Sequence, residues 1–351
     1  MATIHTGSVA DLEFLAQILR SGGLVAVPTE TVYGLAANAL DAAACQRIFE
    51  AKGRPAYDPL IVHVASRAAA DAVAGFTPAA ETLAARFWPG PLTLVLPKRP
   101  RVPDVVTSGL PTVAVRVPAH PLMRALLECC GLPLAAPSAN PFGYISPTTA
   151  AHVQAGLGDR IEHILDGGPC PVGVESTIVD LRDAADPVVL RPGGISLEAL
   201  ATALGRPVRL HRPTESTAAP VPAGPRAELA PGMLERHYSP RTPLRLRSGP
   251  FSPDELRLAA PSVARVCFAR PADGAAPDVR YLSASGDAAE AAHGLFSLLR
   301  ELDRGGFDRI EIEPAPDVGL GVAINDRLRR AAARSSHDGV SSNPPTGPLV
   351  G

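Results

Sequence analysis

Lysine is nearly missing from this chain: of 33 lysine and arginine residues, the only lysines are Lys52 and Lys98. Basic charge is therefore carried by guanidinium groups, which fork onto carboxylates and phosphates. An ammonium at position 52 stands out as a mobile point charge suited to a polyphosphate. Cysteine is scarce too. The five at positions 45, 129, 130, 170 and 267 are odd in number and lack Cys-x-x-Cys spacing, which argues against a disulfide framework or a paired-thiolate metal site and reads as reduced thiols. Aromatic residues make up 4% and the net charge is -2, so there is no aromatic-basic surface and any nucleic-acid contact has to be local. No apolar run reaches the roughly 18 residues that mark a membrane-spanning helix. The start, Met1-Ala-Thr-Ile-His5, lacks the basic-then-apolar pattern of a leader, so the expectation is a soluble cytoplasmic protein. Missing as well are G-x-x-x-x-G-K-[ST], G-x-S-x-G, H-E-x-x-H and histidines at metal spacing. Neither a P-loop, a serine nucleophile nor a protein-held metal is expected.

What is present is a chain of 351 residues with 46% hydrophobic content, long enough for two domains at roughly 150 residues each. Ser8 followed by Asp11 reads as a capping box, and Leu12, Leu15, Ile18 and Leu19 form one apolar face before Gly22-Gly23. Leu24–Val27, Leu60–Val64, Leu92–Leu96, Val113–Val117, Leu134–Ala136 and 188–190 read as strands. Ala42–Ala51, 67–75, 78–87, Leu122–Cys129, 148–157 and 196–204 read as helices. Strands and helices alternate, but some neighbours are too close for a strict βαβ series, which predicts an α/β fold with a mixed twisted sheet and flanking helices. From Arg212 to Gly232 the composition turns to Pro, Ala, Thr and Glu, an expected extended linker. Beyond it, Val263–Ala269 and Ile310–Ile312 read as strands, and 287–303 and the segment opening at Gly319 as helices, a smaller Rossmann-like α/β domain. Gly319 and Gly321 supply only a fragment of a dinucleotide fingerprint. The expected division is 1–210, a linker over 211–241 whose His237-Tyr-Ser-Pro240 segment is expected to serve as an active-site lid or as a plain tether, second domain 242–334 and a polar, disordered tail 335–351.

The chemistry sits in loops at strand ends. Lys52-Gly-Arg-Pro-Ala-Tyr-Asp-Pro-Leu-Ile-Val-His-Val64 sets two cations around a glycine in front of an apolar strand. It is either an anion clamp or a solvated charged turn. Pro28-Thr-Glu-Thr-Val-Tyr-Gly-Leu35 is dense in hydroxyls that face a ligand or cap local backbone. Arg116 interrupts a strand, so it faces solvent or meets an anion. Pro137-Ser-Ala-Asn-Pro141 follows a strand and leads toward a helix, as phosphate-binding edges do.

Together with Val113-Ala-Val-Arg-Val-Pro118, Glu175-Ser-Thr-Ile-Val-Asp180 and Arg191-Pro-Gly, these motifs occur in the order found in YrdC-like threonylcarbamoyl-AMP synthases, which the chain resembles. The resemblance extends to the two-domain form, whose linker signature looks like His237-Tyr-Ser-Pro240 and whose second domain ends like Gly319-Leu-Gly-Val-Ala-Ile-Asn-Asp-Arg-Leu328. This chain departs in carrying Asn-Asp-Arg where Asn-Arg is usual and in its Pro/Ala-rich linker. The resemblance implies a nucleotidyltransferase that converts L-threonine, bicarbonate and ATP to threonylcarbamoyl-AMP and pyrophosphate, the first step of threonylcarbamoyladenosine formation in tRNA. The product would pass to a tRNA-modifying transferase complex, with weak or no direct tRNA binding and no membrane.

By resemblance, Lys52 and Arg54 hold the triphosphate and stabilise the leaving pyrophosphate. Arg54, Asp58, Thr112, Ser138, Asn140, Ser146, Arg191 and Tyr238 serve ATP, and Thr31, His63, Arg116, Ala136 and Ser176 surround threonine. Mg²⁺ would bind mainly through phosphate oxygens and water. Two rivals remain: an adenylating enzyme that uses carbamoyl phosphate, and an RNA-binding module without catalysis.

Overall fold

Ser8 caps the first helix, Val9–Arg20: its hydroxyl accepts from the Asp11 N–H while the Asp11 carboxylate accepts from the Ser8 N–H, the reciprocal pair that the sequence spacing predicts. Leu15, Ala16 and Leu19 are its buried residues. The same rules set the next helix, Ala42–Lys52. Asp41 accepts from the Ala43 and Ala44 N–H groups, and Gly53, at φ 64°, stops the helix in a conformation that costs glycine little. That stop delivers Lys52 and Arg54 to the loop ahead of the strand Ile61–His63.

The computed structural model describes residues 1–183, 185–211, 227–235, 237–271, 276 and 278–333. Residues 212–226 of the linker expected over 211–241 and the tail expected over 335–351 lie outside the described residues. The first sheet has eleven strands, in spatial order Thr3–His5, His163–Leu165, Val25–Val27, Gly34–Asn38, Leu134–Ala135, Ile61–His63, Thr112–Arg116, Leu92–Pro97, Thr177–Asp180, Val188–Arg191 and Arg209–Leu210. Parallel and antiparallel pairs mix, as expected. Ile61–His63 runs parallel to Thr112–Arg116 with His63 opposite Arg116, and antiparallel to Leu134–Ala135. That register sets two expected site residues side by side at a strand end.

Several elements have no clear signal in the sequence. Gly34–Asn38, read as the end of a loop, is a central strand antiparallel to Val25–Val27. Its glycine and alanines have little intrinsic strand preference, and pairing on both sides overrides that. The edge strands Thr3–His5 and Arg209–Leu210 are too short to show a pattern. The helix expected over 67–75 ends at Ala70.

The second sheet is wholly parallel, in order Leu244–Leu246, Arg309–Ile312, Val263–Ala269, Val279–Ser283, with the helices Ala288–Asp303 and Leu320–Ala332 packed on it. The glycine fragment at its last helix has a packing explanation: a Cβ on Gly321 would lie 1.8 Å from the Pro316 carbonyl oxygen.

The two parts share a core. Val32, Ile145 and Val174 from the first cluster with Tyr238 and with Leu295, Phe296 and Ile310 from the second. The helix Ala288–Asp303 lies so close to Gly173 that a Cβ there would meet the Ala292 carbonyl at 2.4 Å. Polar contacts follow the same line. Arg300 donates to the Ser146 carbonyl at 3.3 Å, and Asp303 accepts from the Tyr144 hydroxyl at 2.6 Å and the Thr242 N–H at 2.8 Å. The loops that carry Ser146 and Ser176 are thus held from behind by the second domain.

Candidate active site

Thr29 organises one wall. Its hydroxyl bonds the Thr31 hydroxyl at 2.8 Å and donates to the Val32 carbonyl at 2.6 Å, so the hydroxyl-rich turn fixes itself and presents Thr31 to Arg116. The Arg116 guanidinium donates to Thr31 Oγ1 at 3.0 Å and to the Gly90 carbonyl at 3.1 Å, and pairs with Glu30 at 2.7 Å. It is 3% exposed, which settles the question raised by a charge inside a strand: it is buried and paired. Beside it His63 is held neutral, its imidazole pulled down to about 3 by burial and then by Arg116. Its Nδ1 has no hydrogen-bond partner among the described residues.

The opposite wall is a chain of guanidiniums. Arg54 donates to the carbonyls of Asp58 (2.8 Å) and Pro59 (2.7 Å) and pairs with the Asp58 carboxylate at 2.9 Å. Arg191 donates to the Ser176 carbonyl and hydroxyl at 3.1 and 3.2 Å and to the Pro231 carbonyl at 3.2 Å. Ser176 in turn bonds the Thr93 hydroxyl at 2.8 Å.

Between the walls lies a pocket lined by Thr31, Arg54, His63, Arg116, Ala136, Ser138, Ser176, Arg191 and Tyr238 among others. Five expected residues are not on its wall. Lys52 stands behind it, 2% exposed, its ammonium donating to the Ser138 and Asn140 carbonyls at 2.6 and 2.5 Å. Burial, then the neighbouring Arg54, pulls that ammonium well below its ordinary value. Asn140 donates to the carbonyls of Pro141 and Tyr144, both at 2.9 Å, and Asp58 is the buried partner of Arg54. Ser146 donates to Glu175 at 2.5 Å. Thr112 begins the strand that Arg116 ends, about 13 Å away at the ~3.3 Å rise of a strand residue.

Residues from 227 to 240 add to the lining. Glu228 N–H donates to the Tyr57 carbonyl at 2.9 Å and Ser239 N–H to the Gly143 carbonyl at 2.8 Å, while Pro231, Gly232, His237 and Tyr238 form lining. Tyr238 takes a left-handed backbone conformation, φ 62°, rare for a bulky residue and typical of functional positions. Its ring stacks on Phe296 of the second domain at 5.7 Å, and its buried hydroxyl has no hydrogen-bond partner among the described residues.

Sequence reasoning gave no site role to Glu30, Glu175 or Arg327. Glu30 and Glu175 lie inside quoted motifs, so the signal was present. A carboxylate beside an expected anion site looks wrong until its cation partner is known. Among the described residues no group of three His, Cys, Asp or Glu side chains is placed to hold a metal ion. All five cysteines are free thiols, and no described helix is long and apolar enough to cross a membrane.

Comparison with known proteins identifies the family. The family model Sua5_yciO_yrdC, described as telomere recombination, matches residues 17–193, and the threonylcarbamoyl-AMP synthase C-terminal domain matches residues 195–333. The chain is 45% identical over 333 residues to a threonylcarbamoyl-AMP synthase of Pyrococcus abyssi, covering 92% of this chain and 94% of that protein. Its identity to a Bacillus subtilis protein of the same name is 42% over 330 residues, with 90% and 91% covered. A crystal structure of Pyrococcus abyssi Sua5 complexed with L-threonine superposes with a TM-score of 0.82 at 42% identity, covering 95% of this chain and 97% of that one. The chain therefore belongs to the Sua5–YciO–YrdC family, in the two-domain form that carries the threonylcarbamoyl-AMP synthase C-terminal domain.

Proposed function

We propose that the chain makes threonylcarbamoyl-AMP from L-threonine, bicarbonate and ATP in the cytoplasm. We read residues 1–210 as the catalytic domain, 211–241 as linker and lid, and 242–334 as a supporting domain. One observation carries the reading: a single pocket has Thr31, His63 and Arg116 on one side and Arg54, Arg191 and Tyr238 on the other. A zwitterionic amino acid suits the first side, where a guanidinium meets its carboxylate and a neutral imidazole and hydroxyls meet its amine. A nucleotide suits the second.

In the reaction the threonine amine combines with bicarbonate to give a carbamate and water. A carbamate oxygen then forms a bond to the ATP α-phosphorus as the bond to pyrophosphate breaks. The chain need supply no nucleophile; its share is positioning and charge stabilisation. Arg54 and Arg191 face the phosphates, Asp58 orients Arg54, and Lys52 joins the clamp by way of the Ser138–Asn140 loop it supports. Thr112, Ser138, Asn140 and Ser146 complete the ATP side, and Ala136 and Ser176 the threonine side. Mg²⁺ enters as part of the nucleotide substrate. The one carboxylate of the pocket wall, Glu175, is already bonded to Ser146 and Arg327, which leaves phosphate oxygens and water as its ligands. The adenylate then passes to a tRNA-modifying transferase.

Pyrophosphate release measured with each substrate omitted in turn tests the proposal. Release is expected to require both threonine and bicarbonate. Equal release with carbamoyl phosphate alone overturns it in favour of the rival adenylating reaction.

A further inference from the structure

Arg327 lies on the last helix of the second domain, Leu320–Ala332, yet it is buried against the first domain's pocket. Its Nε donates to Glu175 Oε2 at 2.7 Å and its Nη1 to the Pro192 carbonyl at 2.9 Å, beside Arg191. Its guanidinium carbon stands 5.1 Å from the centre of the Tyr238 ring. One side chain thus touches a pocket carboxylate, the strand that carries Arg191 and the residue that closes the nucleotide side.

Glu175 makes this placement matter. It is the sole carboxylate on the pocket wall among the described residues, in a cavity that, on the function proposed above, admits a triphosphate, a carboxylate and a carbamate. An uncompensated negative charge there would repel all three across a medium of low dielectric. We propose that Arg327 is a positioning residue of the synthase reaction, reaching from the second domain to neutralise Glu175 and to fix Tyr238 at the nucleotide. The contribution of the second domain to the reaction is then electrostatic as well as mechanical, and runs through one guanidinium.

The groups that face Glu175 are Arg327, with its own partner Asp326, from the last helix; Arg191 from Val188–Arg191; Tyr238 from the linker; and the Ser146 hydroxyl. Burial raises the Glu175 carboxyl, but Arg327, then Arg191 and Ser146 outweigh it and hold the group below its ordinary value. Without Arg327 the burial effect is less opposed. The carboxyl then takes up its proton nearer neutrality, and the repulsion fades as pH falls.

The test uses the full-length chain in four forms, R327M, R327K, E175Q and R327M/E175Q, each checked by its melting curve, with kcat and the KM for ATP measured from pH 6 to pH 8.5. R327M is expected to raise the KM for ATP about tenfold or more at pH 8, with the defect shrinking toward pH 6. The double variant is expected to recover to within about threefold of the wild type and to lose that extra pH dependence. R327K, which keeps the charge and loses the fork, should follow the wild-type pH profile, and it carries the test if R327M does not fold. The proposal is overturned if folded R327M has wild-type constants. It is also overturned if the R327M defect is the same at every pH and removal of Glu175 does not relieve it, because Arg327 then only joins two domains, or, where R327M does not fold, if R327K departs from the wild-type pH profile. A wild-type protein inactive with threonine, bicarbonate and ATP would instead refute the proposed reaction, so the two failures are distinguishable.

Discussion

Arg116 already has three partners, Glu30, Thr31 and the Gly90 carbonyl, so a bound carboxylate shares this guanidinium with Glu30. Removing it strands Glu30 as a buried unpaired charge and, on the proposed function, deprives threonine of its counter-ion. Arg116→Ala should therefore cost about 2–5 kcal/mol of threonine binding with far less effect on ATP; equal losses for the two in calorimetry would misplace the residue. Lys52 works differently. Its ammonium draws together the Ser138 and Asn140 carbonyls and adds positive charge behind the nucleotide side. Lys52→Ala should lower turnover by about 10²-fold, as loss of an electrostatic stabiliser does. Single-turnover kinetics with wild-type rates in a folded variant would reduce Lys52 to a buried structural cation.

At the scale of elements, Pro231, Gly232, His237 and Tyr238 form part of the pocket wall, and Tyr238 also packs in the core shared by the two domains. Tyr238 lines the cavity and stacks on Phe296, a placement open to either role expected for the linker, lid or tether. Gly232, at φ 79°, has no room for a Cβ, which would lie 2.7 Å from the Tyr238 hydroxyl; the turn must be glycine for the tyrosine to seat. Closure of this kind limits loss of a labile carbamate and a reactive adenylate to water. Tyr238→Ala in the full chain should raise the KM for ATP and increase ATP breakdown uncoupled from adenylate formation, measured as pyrophosphate or AMP release in excess of product. Tight coupling and an unchanged KM would show that the segment is only a tether. Truncation near residue 210 is the less direct test, because it also uncovers Val32, Ile145 and Val174, which belong to the shared core.

For the whole molecule, the sequence by itself determined the parts list. Hydrophobic periodicity and caps fixed most helices and several sheet strands. Pro/Ala composition marked a segment expected to be a linker, and the motifs around Lys52, Arg116, Ser138 and Arg191 marked loops that gather at one pocket, because these are local properties that a short window contains. Tertiary structure decided what those parts mean. Gly34–Asn38 is a strand since neighbours on both sides pair with it. Lys52 stands behind the pocket while Arg54, two residues on, lines it, because the helix stop at Gly53 turns the chain between them. Glu30 and Glu175 have no role assigned from sequence; Arg116, from within the first domain, and Arg327, from the second, pair with them across 86 and 152 residues. The energy of a buried charge depends on its partner's position in space, and no local pattern encodes a pairing that only the docking of the second domain onto the first brings about.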